Sequence, residues 1–274
     1  MLDQLLPTAL DTYKALEKEL DCPLISQYSI LDFHETDEAE NLFLKRAAEE
    51  KEYLHIPAAQ DEWKPYFHFA HGVGEIAPCW LIDIHTLLAK WRNKLHQDNA
   101  LLEEKFDWEK CIVGEDRVVY KDITAKKIIC CEGAGGVDNP YFSSMPYRKN
   151  KGEVIIASIP GLPQTHLYKQ EFKIAPWEED LFWIGSSFEW KYNDLEPTDT
   201  FRKKVETALQ QWLKLPYAII DQWASERPAT TDYKPFAGLH PAYNTMAILN
   251  GMGSKGCSLA PCFAKQLTEL IISC

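Results

Sequence analysis

Near its C-terminus the chain reads Gly251-Met-Gly253-Ser-Lys-Gly256, a G-x-G-x-x-G run. Glycines at this spacing let a backbone turn tightly from a strand into a helix and approach a ligand closely. The flanks supply both elements, because Thr245 to Asn250 is strand-like and Ser258 to Ile272 is helix-like. A dinucleotide-binding βαβ unit also needs a second strand with an acidic residue about 20 positions on. Only Ser273 and Cys274 follow the helix here. Two expectations remain: a chance match, or a different glycine turn that also faces a cofactor.

With 274 residues the chain is long enough for one or two domains with a substantial core. Its net charge of -12 argues against nucleic acid as a bulk electrostatic partner. The cationic run Tyr147-Arg-Lys-Asn-Lys-Gly152 reads as a solvated loop. No stretch approaches the roughly 18 apolar residues of a membrane span. The first residues, Met1-Leu-Asp-Gln-Leu-Leu-Pro7, lack the basic region and cleavage site of a signal peptide. Cys22, Cys79, Cys111, Cys130, Cys131, Cys257, Cys262 and Cys274 form no C-x-x-C pair and no zinc spacing. The reading is reduced thiols in a cytoplasmic protein, with no metal site.

Residues 1–20 form an amphipathic pattern, with Leu5, Ala9, Tyr13, Leu16 and Leu20 on one face. Ile25 to Phe33 reads as a strand and Asp37 to Glu52 as a charged helix capped by Thr36 or Asp37. Pro65 to Pro78 reads as loop with short strands, and Leu81 to His96 as a helix facing Ile82, His85, Leu88 and Trp91 inward. Lys105 to Val113, Arg117 to Asp122 and Lys126 to Cys131 read as short strands, the last ending in the glycine turn Gly133-Ala134-Gly135-Gly136. Glu153 to Ile159, His166 to Ile174 and Asp180 to Phe188 read as antiparallel strands. Thr198 to Leu213 reads as a capped helix with Val205, Leu209 and Trp212 on one face, and Trp223 to Phe236 as irregular. The histidines offer no triad, and the aromatic groups Trp63/Tyr66/Phe67/Phe69 and Trp183/Phe188/Trp190/Tyr192 read as core or as pocket wall.

A longer pattern surrounds the second glycine turn. It runs Arg227-Pro228, Thr231-Asp232, Pro235 and Gly238, then strand, G-x-G-x-x-G and Ala260-Pro261. This resembles the C-terminal signature of the FAD-dependent oxidoreductases of the D-amino-acid oxidase family, which includes glycine and sarcosine oxidases. The form Gly253-Ser254-Lys255-Gly256 is nearest to its tRNA-modifying aminomethyl-thiouridine branch. Lys127 to Ala134 is similar to the family strand that lies along FAD, and Leu181 to Trp190 to a substrate-domain strand. The match begins after the family's N-terminal FAD-binding βαβ unit, so the expectation is a family member without it.

The resemblance implies an α/β (mixed α+β) fold in which an incomplete, Rossmann-like FAD-binding domain (80–140 and 223–274) interleaves with an antiparallel-sheet substrate domain (1–79 and 141–222). It implies FAD held by Gly251, Gly253, Ser254 and Gly256, with Gly133 and Ala134 on the other strand. Lys255 would add positive charge at the flavin, or be a solvated loop lysine. Arg227 would meet a substrate carboxylate, or pair within the protein. The implied reaction oxidises a C–N bond of a small amine or amino acid by hydride transfer to flavin N5. The alternatives are a non-catalytic binding remnant, whose open sheet edges favour a homo-oligomer, and a tRNA-modifying oxidoreductase.

Overall fold

The computed structural model describes residues 2–273; the reduced thiol expected at Cys274 lies outside them. The elements run α1 (Leu2–Leu20), β1 (Ile25–Phe33), α2 (Asp37–Glu49), β2 (Leu54–His55), β3 (Val73–Ile82) and α3 (Ile84–Gln97). Four short strands follow, β4 (Cys111–Val113), β5 (Val118–Tyr120), β6 (Ile123–Ala125) and β7 (Ile128–Cys130). Then come β8 (Asn150–Ser158), β9 (Leu167–Lys169), β10 (Lys173–Glu178), β11 (Leu181–Gly185), α4 (Asp199–Trp212) and β12 (Ala218–Arg227). The chain closes with β13 (Phe236–Leu239), β14 (Met246–Asn250) and α5 (Gly256–Ser273). Among the described residues no helix is long and apolar enough to cross a membrane.

The chain divides into two compact units, one of Met1–Ile25, Ile82–Asn150 and Glu226–Cys274, the other of Ser26–Leu81 and Lys151–Ser225. The sequence reading placed residues 1–79 together; instead α1 belongs with the first unit, where it packs on α5. Its predicted face is the reason, since Ala9 and Tyr13 are buried there.

The second unit is built on an eight-stranded sheet of order β12-β8-β11-β10-β9-β1-β3-β2. β8, β11, β10 and β9 pair antiparallel, and β1 joins β9 in parallel. Leu31, Phe33, Ile155, Tyr168, Ile174 and Phe182 fill its core. α4 begins at the Thr198 cap, whose hydroxyl accepts from the Phe201 N–H at 3.2 Å. It buries Phe201, Val205, Leu209 and Trp212, each such side chain contributing about 1.5–3 kcal/mol.

Several elements differ from the sequence reading. β12 runs through Arg227 where irregular chain was expected. It is an edge strand whose exposed positions carry Asp221 and Ser225, so no apolar alternation marks it. α3 starts at Ile84, capped by Asp83. His85 and Leu88 are therefore exposed, and Ile84, Leu87, Trp91 and Leu95 occupy the covered face. Trp63 and Phe67 are core, whereas Phe188 and Trp190 stand exposed.

The cationic run is not a solvated loop. It enters β8, and Lys151 is only 2% exposed. Its ammonium donates to the Glu196 carbonyl and lies 3.8 Å from Glu153 Oε1. Glu153, fully buried, accepts from the Thr198 N–H (2.6 Å), the Thr198 hydroxyl (2.8 Å) and Gln222 Nε2 (2.9 Å). One carboxylate thus ties β8 to the start of α4 and to the edge strand β12. Removing it leaves the buried Lys151 ammonium with only the exposed Asp194 carboxylate, 4.0 Å away, as counter-charge, a loss of about 3–5 kcal/mol. Glu153→Ala is expected to lower the unfolding free energy measured by urea denaturation by that margin, while Glu196→Ala, which keeps the carbonyl, leaves it nearly unchanged.

Candidate functional site

The first unit holds both glycine turns, and strand pairing brings them together. β14 lies between β13, antiparallel, and β7, parallel, with Met246 opposite Ile128 and Ile248 opposite Cys130. Parallel partners finish at the same sheet edge, so the turns that follow β7 and β14 emerge side by side. This is the end of a parallel pair at which open α/β sheets bind ligands.

Asn250, 5% exposed, joins the two turns directly. Its Nδ2 donates to the Gly133 carbonyl at 2.9 Å and lies 3.5 Å from the Tyr147 hydroxyl. Its Oδ1 accepts from the Gly251 N–H at 2.7 Å. The first turn, Gly133–Asp138, is closed across its base by Asn139 Nδ2 donating to Glu132 Oε2 at 2.6 Å. Gly133, Gly251 and Gly253 have φ of 59°, 76° and 55°, the left-handed region in which side chains are strained. Gly256 has φ -53°, so it serves the helix start and not a left-handed turn.

The start of α5 is fixed from two sides. The Gly253 N–H donates to the Pro228 carbonyl at 3.0 Å. The buried Tyr13 hydroxyl of α1 donates to the Cys257 carbonyl at 2.9 Å, and burial pushes that hydroxyl far above its ordinary pKa. Burial also raises the Cys257 thiol, which leaves it protonated and a weak nucleophile at neutral pH.

Beside the second turn lies a cavity of about 110 Å³, lined by residues 251–255 with Ala229, Thr230, Tyr233 and Leu259. Of the expected cofactor residues, Gly251, Gly253, Ser254 and Lys255 line it together. Lys255 is its only charged lining residue and is exposed. Gly133 and Ala134 sit across Asn250 on the neighbouring turn. Arg227 is not part of the lining. Its Nη1 donates to Asn150 Oδ1 at 2.9 Å, it is half-buried, and burial lowers its pKa. Asn250, Tyr13, Thr230 and Tyr233 were missed in the sequence. Asn-Gly is a turn signal that singles out Asn250; nothing local marks Tyr13, whose partner is 244 residues away.

The larger cavity of this unit, about 260 Å³, lies against β5, β6 and β7 and is walled by Leu102, Phe106, Tyr120 and Ile123. It includes no glycine-turn residue, and its Glu104 is already engaged by the Tyr120 hydroxyl (2.7 Å) and Lys121 Nζ (2.6 Å). In the other unit Asp37, Glu40 and His71 bring ligand atoms within 4.8 Å of one another, with His71 Nδ1 3.0 Å from Asp37 Oδ1. This cluster at the N-terminus of α2, in which only Asp37 is exposed, suits an ion pair as well as a cation.

The cavity at the second turn suits an anionic group. An 18-residue helix directs the positive end of its dipole there, and no lining residue is acidic. At about 110 Å³ the space is below the roughly 300–1,000 Å³ of whole-ligand pockets, so it has room for part of a ligand only. The two glycine turns differ in tolerance. A Cβ at Gly251 would stand 2.6 Å from Thr230 Cγ2, while one at Gly133 clears everything. Gly251→Ala is therefore expected to cost about 2 kcal/mol or more in thermal denaturation and Gly133→Ala about 1 kcal/mol.

The sequence matches the family model described as FAD dependent oxidoreductase, DAO, over residues 2–270. Glycine oxidase of Pseudomonas aeruginosa is 25% identical over 184 residues, 63% of this chain and 50% of that protein. The chain thus spans about half the length of this curated relative. Among solved structures, glycine oxidase of Geobacillus kaustophilus superposes with a TM-score of 0.80 at 16% identity, covering 99% of this chain and 79% of that one. Iminodiacetate oxidase of a Chelativorans species gives 0.78 at 18% identity, over 98% and 80%. Identities this low establish the mixed α/β fold alone. The family match extends over almost every residue, both units included, and the chain belongs to the DAO family of FAD-dependent oxidoreductases.

Proposed function

We propose that the protein oxidises a C–N bond of a small amine or amino acid, with FAD at the paired glycine turns. In this reading Met1–Ile25, Ile82–Asn150 and Glu226–Cys274 form the cofactor unit, and Ser26–Leu81 with Lys151–Ser225 the substrate unit. When bound, FAD supplies the two-electron acceptor for hydride leaving the substrate's α-carbon, and the substrate imine then hydrolyses.

The chain's own residues do the remaining work. The glycine turns let backbone approach the cofactor without side-chain interference. The first-turn N–H groups of α5 and the Lys255 ammonium place positive potential at the cavity, which favours negative charge on the group bound there. Asn250 holds the two turns at fixed separation, so the electrostatic frame is set before the ligand arrives. Arg227 is the residue we assign to a substrate carboxylate, through a guanidinium that burial has partly stripped of water. No general base is needed if the amine binds in its neutral form. The observation that carries this reading is the parallel β7/β14 pair with both glycine turns at one end.

The reading is tested by the absorbance spectrum of the purified full chain, before and after addition of FAD and removal of free flavin. Flavin bands that stay with the protein, and that bleach anaerobically with an amine or amino acid, are the expected result. Lys255→Met should weaken FAD retention about two- to fivefold, the scale of one exposed charge at a helix N-terminus. A colourless protein that takes up no FAD overturns the reading.

A further inference from the structure

Tyr233 adopts φ 60°, a region that glycine and asparagine visit readily and a bulky aromatic residue does not. It is not kept there by core packing, for it is 68% exposed. The turn is held by its neighbours. The Tyr233 N–H donates to the Thr230 carbonyl at 3.3 Å, and Asp232 Oδ1 accepts from the Lys234 N–H and the Thr230 hydroxyl, each at 3.2 Å. Thr230 is itself fully buried. The phenol ring makes none of these bonds. The turn therefore favours a glycine at this position, and the residue present is a large aromatic one lining the same cavity as Met252, Ser254 and Lys255.

A residue that opposes its local backbone preference without filling a core marks a place where side-chain chemistry outweighs stability. We propose that Tyr233 is a specificity-determining residue of this cavity. It stands a phenol ring at the rim, where it stacks on a flat conjugated ring presenting an anionic edge to Lys255 and shields that edge from water. Two observations point to this ligand class: the only charged lining residue is cationic, and the cavity has room for one edge of a ligand. An aromatic face at the rim, in turn, packs well on another flat ring. The inference rests on the reading of the 251–256 turn as the flavin site, and narrows it to one rim residue.

The test uses the full chain and three variants, Tyr233→Asn, Tyr233→Gly and Tyr233→Phe, with FAD and lumiflavin as probes titrated by flavin fluorescence. Tyr233→Asn should raise Tm by about 1–3 °C, because asparagine tolerates the left-handed turn, and should weaken FAD binding about tenfold. Tyr233→Gly should lose the same affinity without loss of Tm, and Tyr233→Phe should keep wild-type affinity. Opposite signs for stability and binding are what a merely structural tyrosine cannot produce. Wild-type FAD affinity in Tyr233→Asn, or a fall in Tm that accompanies weaker binding, overturns the role of Tyr233 and leaves the cofactor assignment intact. A wild-type chain that binds lumiflavin in a Tyr233-dependent way but not FAD supports the rim residue and overturns the cofactor. Failure to bind either overturns both.

Discussion

The arrangement of the site follows from one pairing, β7 against β14 in parallel. Antiparallel strands would send the chain after β7 and the chain after β14 to opposite ends of the sheet. Parallel ones deliver both to the same end, although the segments lie more than a hundred residues apart. Everything local then has a simple task. Left-handed glycines keep side chains out of the way, and Asn250 uses both ends of one amide to lock turn to turn. An amide suits this position because it donates to a carbonyl and accepts from an N–H at once. An aspartate would meet the Gly133 carbonyl with a second acceptor.

The other unit depends on a different kind of constraint. Glu153 and Lys151 are charges in a place where charge is expensive, and the structure answers with several hydrogen bonds to the carboxylate. Two of them come from Thr198, which also caps α4. The helix start, the strand β8 and the edge strand β12 are therefore positioned by one buried group. Such a group adds little net stability over an apolar core of similar volume, but it accepts one arrangement of its partners. Apolar packing around Phe182, Ile184 and Val205 supplies the bulk of the cohesion.

Much of this was legible from residues alone, and the limits are physical. α1 and α4 declare themselves by an apolar face at helical spacing, α2 and α4 by the threonine that caps each, and β1 by the proline that precedes it. The second glycine turn is legible because strand, turn and helix follow in unbroken order. β12 was not, since its apolar and polar residues do not alternate and its exposed positions mix Ile220 and Trp223 with Asp221 and Ser225. Lys151 looked solvated because a run of cations normally is; only the distant Glu153–Thr198 arrangement makes burial tolerable. α3 was read out of phase because its N-cap, Asp83, was taken to lie inside the helix. Of the site, Gly251, Gly253, Ser254 and Lys255 were visible and line one cavity, whereas Gly256 and the first-turn Gly133 and Ala134 lie outside its lining. Arg227 was visible as a type but lies outside that lining, bound to Asn150. Asn250 and Tyr233 act through three-dimensional neighbours that spacing does not encode.

The hydrogen bond from Tyr13 to Cys257 spans 244 residues, and this has a kinetic side. Bringing two points that far apart on a flexible chain into contact costs about 5 kcal/mol of loop-closure entropy, from the (3/2)RT ln n relation. The contact cannot form early unless intervening structure has already shortened the effective loop. The unit of Ser26–Leu81 and Lys151–Ser225 has its own core and can do that shortening. The loop-closure cost favours an order in which that sheet condenses before the helix that opens at Gly256 is seated on α1. A chain whose α5 is not yet seated would hold the sheet of the other unit but not the 251–256 turn in its final position.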